Sequence, residues 1–160
     1  MAMLTMVKAI EQIHPKDVVL FKIGSFYHAY SKDSYILSYL FEYKIKKVEN
    51  NYSTCGFPSS SLSKVLAKLE EKKINYVLVD KRNNYEDEEK SDNKNLNKYD
   101  EIFETAHKYV ILRNRIDNIY QELINSIDKN DIKEKIIKIE EIILWKMKNL
   151  KLYNSLENYL

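Results

Sequence analysis

The sequence predicts an α+β protein: a mixed β-sheet with flanking helices, followed by a C-terminal αα-hairpin. Three observations carry this. Short β-branched and aromatic runs interleave with helical-period segments through the first eighty residues. A polar stretch at 81–98, KRNNYEDEEKSDNKNLNK, has only Tyr85 and Leu96 as large apolar groups, too little to offset the entropy of ordering it. Beyond it, two series of apolar positions recur at helical intervals. The expected organisation is a first domain over 1–82, a polar linker over 83–98 and a helical hairpin over 99–160.

Leu4, Val7, Ile10 and Ile13 share a helical face that stops at His14-Pro15, where proline disfavours helix in the residue before it. Val18 to Ile23 and Phe26 to Tyr30 read as two strands of a hairpin turning at Gly24-Ser25. Ser31 stands as an N-cap before a second helix, with Asp33 in its first turn and Leu37, Leu40 and Phe41 on one face. Tyr43 to Val48 and Tyr52 to Phe57 are candidate strands joined at Glu49-Asn50-Asn51. Leu62, Val65, Leu66 and Leu69 mark a third amphipathic helix after Pro58, and Tyr76 to Val79 form a buried strand.

The hairpin helices follow from Ile102, Ala106, Tyr109, Ile116, Tyr120, Leu123 and Ile127, then from Ile132, Ile136, Ile139, Ile143, Leu150, Tyr153 and Leu160. Asp128-Lys129-Asn130 separates the two series, and Asp131 with Glu134 has capping-box spacing. Runs such as Val110-Ile111-Leu112 and Ile142-Ile143-Leu144-Trp145 exceed one apolar stripe, so a further packing partner is required.

Composition narrows the function classes. Only Gly24 and Gly56 are available, which excludes the glycine-rich loops of P-loop and Rossmann nucleotide sites. One cysteine, Cys55, permits no internal disulfide and no four-cysteine zinc site, and fits a reducing cytoplasm. His14 and His107 have no metal-ligand spacing to it, so neither metal nor cofactor is expected. No apolar stretch is long enough to cross a membrane. The formal charge is +2, divided as +3 over 1–80 (11 basic, 8 acidic), −1 over 81–100 (5 and 6) and 0 over 101–160 (10 and 10). Any phosphate-binding surface is therefore local and lies in the first half.

Two lysine groups are candidates for it: Lys44, Lys46 and Lys47, and the four-residue series Lys64, Lys68 and Lys72 on the third helix. A solvated helix face explains the second group as well. Tyr27 is the one tyrosine taken as a base-stacking candidate. Arg113 and Arg115 point to different helix faces and, with Trp145, are candidates for partner binding; the alternative for the arginines is a surface ion pair with Asp117 or Glu122.

From His14 to Asp80 the chain resembles the N-terminal mismatch-recognition domain of the MutS mismatch-repair family. The residues that carry the resemblance are His14-Pro15 before a hydrophobic strand, Phe21-Lys22-Ile23-Gly24-Ser25-Phe26-Tyr27, Asp33 at a helix start, Gly56-Phe57-Pro58, Leu66-Ala67-Lys68-Leu69 and the strand Tyr76 to Asp80. The resemblance implies that Phe26 is the wedge which that family inserts beside a mispaired base. Unstacking costs least where pairing is already faulty. His28 stands where the family has glutamate, and Ser25 where it has aspartate. Histidine donates as well as accepts, and it is no permanent anion.

The implied function is a non-catalytic nucleic-acid-binding accessory protein that reads distorted or mispaired duplex (DNA, RNA or hybrid) within a larger complex. The chain also resembles the short MutS-like accessory proteins encoded beside reverse transcriptases of diversity-generating retroelements, which implies a reverse transcriptase as partner. Residues 99–160 would serve to dock that partner or a second copy. The alternatives are a pure docking subunit in which Phe26 packs against protein, and a stand-alone mismatch-binding repair protein. A small nuclease is disfavoured, because no carboxylate cluster or nucleophile–base pair is apparent.

Overall fold

The computed structural model describes residues 2–48, 52–80, 88–91, 97–127 and 131–157, with side chains over 4–48, 52–80, 89–91, 97–127 and 131–145. The turns expected at Glu49-Asn50-Asn51 and Asp128-Lys129-Asn130 lie outside the described residues, as do Tyr85, Leu96, Leu160 and the side chains of Leu150 and Tyr153. In chain order the elements are α1 (Ala2–Ile13), β1 (Val18–Ile23), β2 (Phe26–Tyr30), α2 (Ser31–Phe41), β3 (Lys46–Lys47), β4 (Ser53–Pro58), a single 3₁₀ turn (Ser59–Ser61), α3 (Leu62–Glu71), β5 (Tyr76–Asp80), β6 (Glu88–Lys90), α4 (Tyr99–Ile124) and α5 (Ile132–Glu157).

The strands form one sheet in the order β3-β4-β2-β1-β5-β6. β1 and β5 pair in parallel, with Val18 opposite Tyr76, and every other pairing is antiparallel. The mixed sheet with flanking helices is thus as the periodicities predict. Its central strands are buried on both faces, which is why Val18-Val19-Leu20-Phe21 and Tyr76-Val77-Leu78-Val79 are continuous apolar runs.

Alternation divides those runs between two cores. On one face Val18, Leu20, Tyr27, Cys55, Phe57 and Leu78 pack under α2, α3 and the start of α4, through Ile36, Leu37, Val65, Leu69, Tyr99 and Ala106. On the other, Val19, Phe21, Tyr30, Val77 and Val79 pack under α1 through Val7 and Ile10. Each fully buried Phe, Leu or Ile contributes about 1.5–3 kcal/mol.

The chain divides into two compact units, Met1–Arg113 and Asn114–Leu160. The first extends past the boundary expected at residue 82. The segment expected to be a polar linker holds β6, antiparallel to β5 with Val79 opposite Glu88, and Ser91 Oγ accepts the Tyr76 N–H at 2.9 Å. An open sheet edge offers backbone donors and acceptors to any extended segment, so a polar strand forms there without an apolar pattern of its own. The start of α4 belongs to the first core because Tyr99, Ala106 and Val110 are buried. The second unit holds the C-terminal part of α4, from Asn114 to Ile124, and α5.

Candidate nucleic-acid interface

The β1–β2 hairpin turns through Gly24, whose φ of +62° suits a residue without a Cβ. The register sets Ile23 opposite Phe26, and Phe26 opposite Pro58 on the other side. Phe26, His28 and Tyr30 therefore share the α1 face of the sheet, while Tyr27 and Ala29 point to the α2/α3 core. Because α1 covers only the Tyr30 end, exposure grades along the strand: Tyr30 is buried, His28 partly buried and Phe26 46% exposed. Gly56 and Pro58, alongside, are also exposed.

Three rings thus form a ladder on one strand face. Phe26 lies 6.4 Å from His28, centroid to centroid, and His28 lies 6.4 Å from Tyr30. The imidazole sits over Gly56, where an added Cβ would come within 3.0 Å of His28 Nδ1 and 3.1 Å of Cε1. Glycine at 56 is what lets this ring lie against the sheet. Partial burial lowers the His28 pKa below the ordinary histidine value. At neutral pH the ring is an uncharged group with one donor and one acceptor nitrogen.

The sequence-predicted residues do not all gather here. Tyr27 is only 7% exposed and stacks on Phe57 at 5.7 Å, so its expected role as a base-stacking residue is corrected: its position next to outward-facing Phe26 turns it inward. Lys64, Lys68 and Lys72 ride on α3, which packs through Val65 and Leu69 against the opposite face of the sheet from Phe26. Lys68 and Lys72 both engage Glu71, at 2.9 and 3.5 Å. The α3 lysines and Phe26 therefore do not form one surface.

Lys46 is exposed and registers with Thr54 and through it with Tyr30, placing it on the Phe26 face. Lys47 is turned the other way and donates to Ser53 Oγ at 3.0 Å. Lys44 is exposed in the segment before β3. Lys8 of α1, above the Tyr52 ring at 5.4 Å, is a further cation on the α1 side that the sequence pattern did not single out.

Of the partner-binding candidates, Arg113 pairs with Glu42 at 3.5 Å rather than with Asp117 or Glu122. Arg115 and Trp145 are exposed in the second unit.

The most strongly perturbed acid lies away from the ring ladder. Asp33, buried at the start of α2, accepts the Val19 N–H at 2.9 Å and the Tyr99 hydroxyl at 2.6 Å. Burial pushes its pKa up to about 8, against the lowering effect of these two bonds, with Glu11 and Asp17 adding to the rise. It joins α2, β1 and α4, a role hidden behind its ordinary appearance as a helix-start acid. It borders an open cleft of about 490 Å³ lined also by Lys8, Glu11, His14, Tyr52 and Tyr99. Cys55 is buried and its thiol is pushed up to about 12 by desolvation, which removes it as a nucleophile at neutral pH. Among the described residues no group of three or more His, Cys, Asp or Glu is placed to hold a metal ion, and no helix is long and apolar enough to cross a membrane.

Two comparisons bear on this surface. Residues 1–112 match the family MutS domain I. A search of curated proteins returned no match.

Proposed function

The chain belongs to the MutS domain I family, whose domain is a DNA-binding, mismatch-recognition module rather than a catalytic one, and from that premise we propose that it recognises distorted or mispaired duplex through Phe26. The observation that carries this reading is that, among the described strand residues, Phe26 is the one large apolar side chain left exposed. Leaving Phe26 46% exposed forgoes about half of the roughly 1.5–3 kcal/mol that burying it fully would contribute. A base step supplies the missing apolar contact, and a kinked duplex adds backbone contacts around it.

His28 lies 6.4 Å behind the wedge as a neutral ring. It offers a donor or an acceptor to a base edge, depending on tautomer, where the family's glutamate is an anion. Lys46, with Lys44 beside it, supplies phosphate contact on the same side, which sets affinity but not sequence preference. The protein acts as a non-catalytic accessory within a larger complex. The most specific form of this reading, an accessory to the reverse transcriptase of a diversity-generating retroelement, rests on the sequence resemblance and is tested by co-purification with that enzyme.

The direct test is titration of matched and mispaired duplexes at one salt concentration with the unmutated protein and with Phe26→Ala. The reading expects a preference for the mispaired duplex that the substitution removes. Equal binding by both proteins would transfer Phe26 to a protein-docking role.

A further inference from the structure

The second unit has an apolar surface that two helices cannot cover. Eleven large apolar side chains between Ile116 and Trp145 are 41–65% exposed. Ile116, Ile119 and Tyr120 fall on one face of α4, and Ile136 and Ile143, seven residues apart, on one face of α5. Between the helices runs a groove of about 610 Å³, lined by Ile119, Leu123 and Ile139 among others. We infer that this face is covered by a second copy of the chain, two hairpins closing into a four-helix bundle.

The amount of surface argues for a stable protein interface. Taken over all sides of the two helices, the exposed side chains present on the order of 900 Å² per copy, of which the stripes sharing one face are part, compared with the ~800 Å² each partner gives to a standard interface.

Charge argues for self-association over a charged partner. Residues 101–160 carry 10 basic and 10 acidic side chains. At the start of α5 they pair locally, Lys135 with Asp131 just before the helix and Lys138 with Glu134 within it, each at 2.7 Å. A surface with no excess of either sign has nothing to recruit nucleic acid or a strongly acidic or basic protein. It meets a copy of itself without repulsion, as a two-fold interface requires. Two paired hairpins bury both stripes in one core, the arrangement of a four-helix bundle.

The test is the solution mass of the full chain by light scattering or equilibrium sedimentation. A dimer is expected, with a melting temperature that rises across a roughly hundredfold increase in protein concentration. Ile116→Glu combined with Ile143→Glu should halve the mass and abolish that concentration dependence, with helical circular dichroism retained; Ile143→Leu should remain dimeric. A monomer at all concentrations, or a melting temperature independent of concentration, overturns the inference even if the double variant fails to fold. A larger discrete oligomer overturns the two-fold arrangement. Because Phe26 is in the other unit, loss of the dimer with duplex preference intact distinguishes failure here from failure of the proposed function.

Discussion

On the sheet, Leu20, Phe21, Phe57 and Val77 are at most 1% exposed, and among the described strand residues Phe26 is the one large apolar side chain left open to solvent; in the helical unit, Ile116, Ile142, Leu144 and Trp145 are each more than half exposed. Both regions draw on the same stock of aliphatic and aromatic residues. They differ in whether the local fold can cover them. A six-stranded sheet with helices on both faces closes two cores, so a single ring outside them is an exception that invites a ligand. Two helices close no core, so exposure there is general and calls for a protein surface of matching extent. An exposed phenylalanine is therefore informative in the first unit and unremarkable in the second.

The comparison breaks most visibly in the closed cores. Phe57→Ala, which removes a ring stacked on both Tyr27 and Tyr43, should cost about 3–5 kcal/mol by denaturant melts and take duplex binding with it. A loss under about 1 kcal/mol would mean that the sheet core is far looser than its burial indicates.

Protonation of Asp33 comes next. Its folded-state pKa is raised to about 8 from an ordinary carboxyl value of 3.8. Between those values the unfolded chain has released the proton that the folded protein keeps, so the stability this acid contributes is complete at low pH and is lost progressively up to about pH 8. Urea melts from pH 5 to pH 8 should show declining stability in the unmutated protein and a flatter profile in Asp33→Asn. Parallel profiles would show that Asp33 is ionised in the folded state.

Phe26→Ala should leave the stability within about 1 kcal/mol of the unmutated protein, yet weaken binding to mispaired duplex by about 1–3 kcal/mol, roughly five- to 150-fold. Gly56→Ala sharpens the comparison further, because an added Cβ meets the His28 ring at 3.0 Å and the Tyr27 carbonyl oxygen at 3.2 Å, and of the two the ring is free to give way. It should reduce discrimination between mispairs with a smaller loss of total affinity, read by competition among duplexes. Smallest of all, Lys46→Ala should weaken binding to every duplex alike and lower the salt dependence by about one phosphate contact.

Much of this arrangement is legible in the sequence. The Gly24-Ser25 turn between β-branched and aromatic runs defines the hairpin, and the offsets of Leu62, Val65 and Leu69 define α3, because pattern and burial coincide there. Tyr27 shows the limit: motif adjacency suggested a surface partner for Phe26, whereas strand alternation sends neighbours to opposite faces. Sequence spacing placed Lys64, Lys68 and Lys72 together, but only topology reveals that α3 lies across the sheet from Phe26. Glu88–Lys90 has no strand pattern, since its pairing is decided by the free edge of β5. Asp33 reads as a helix-start acid because its partners, Val19 and Tyr99, are 14 and 66 residues away.

The wedge itself is tested most directly by placing 2-aminopurine beside a mispair and following its fluorescence as protein is added. A ring that enters the duplex unstacks the reporter, so emission should rise with the unmutated protein and stay flat with Phe26→Ala at concentrations that saturate binding. An equal rise with both proteins, or none with either once the duplex is fully bound, would contradict insertion of Phe26.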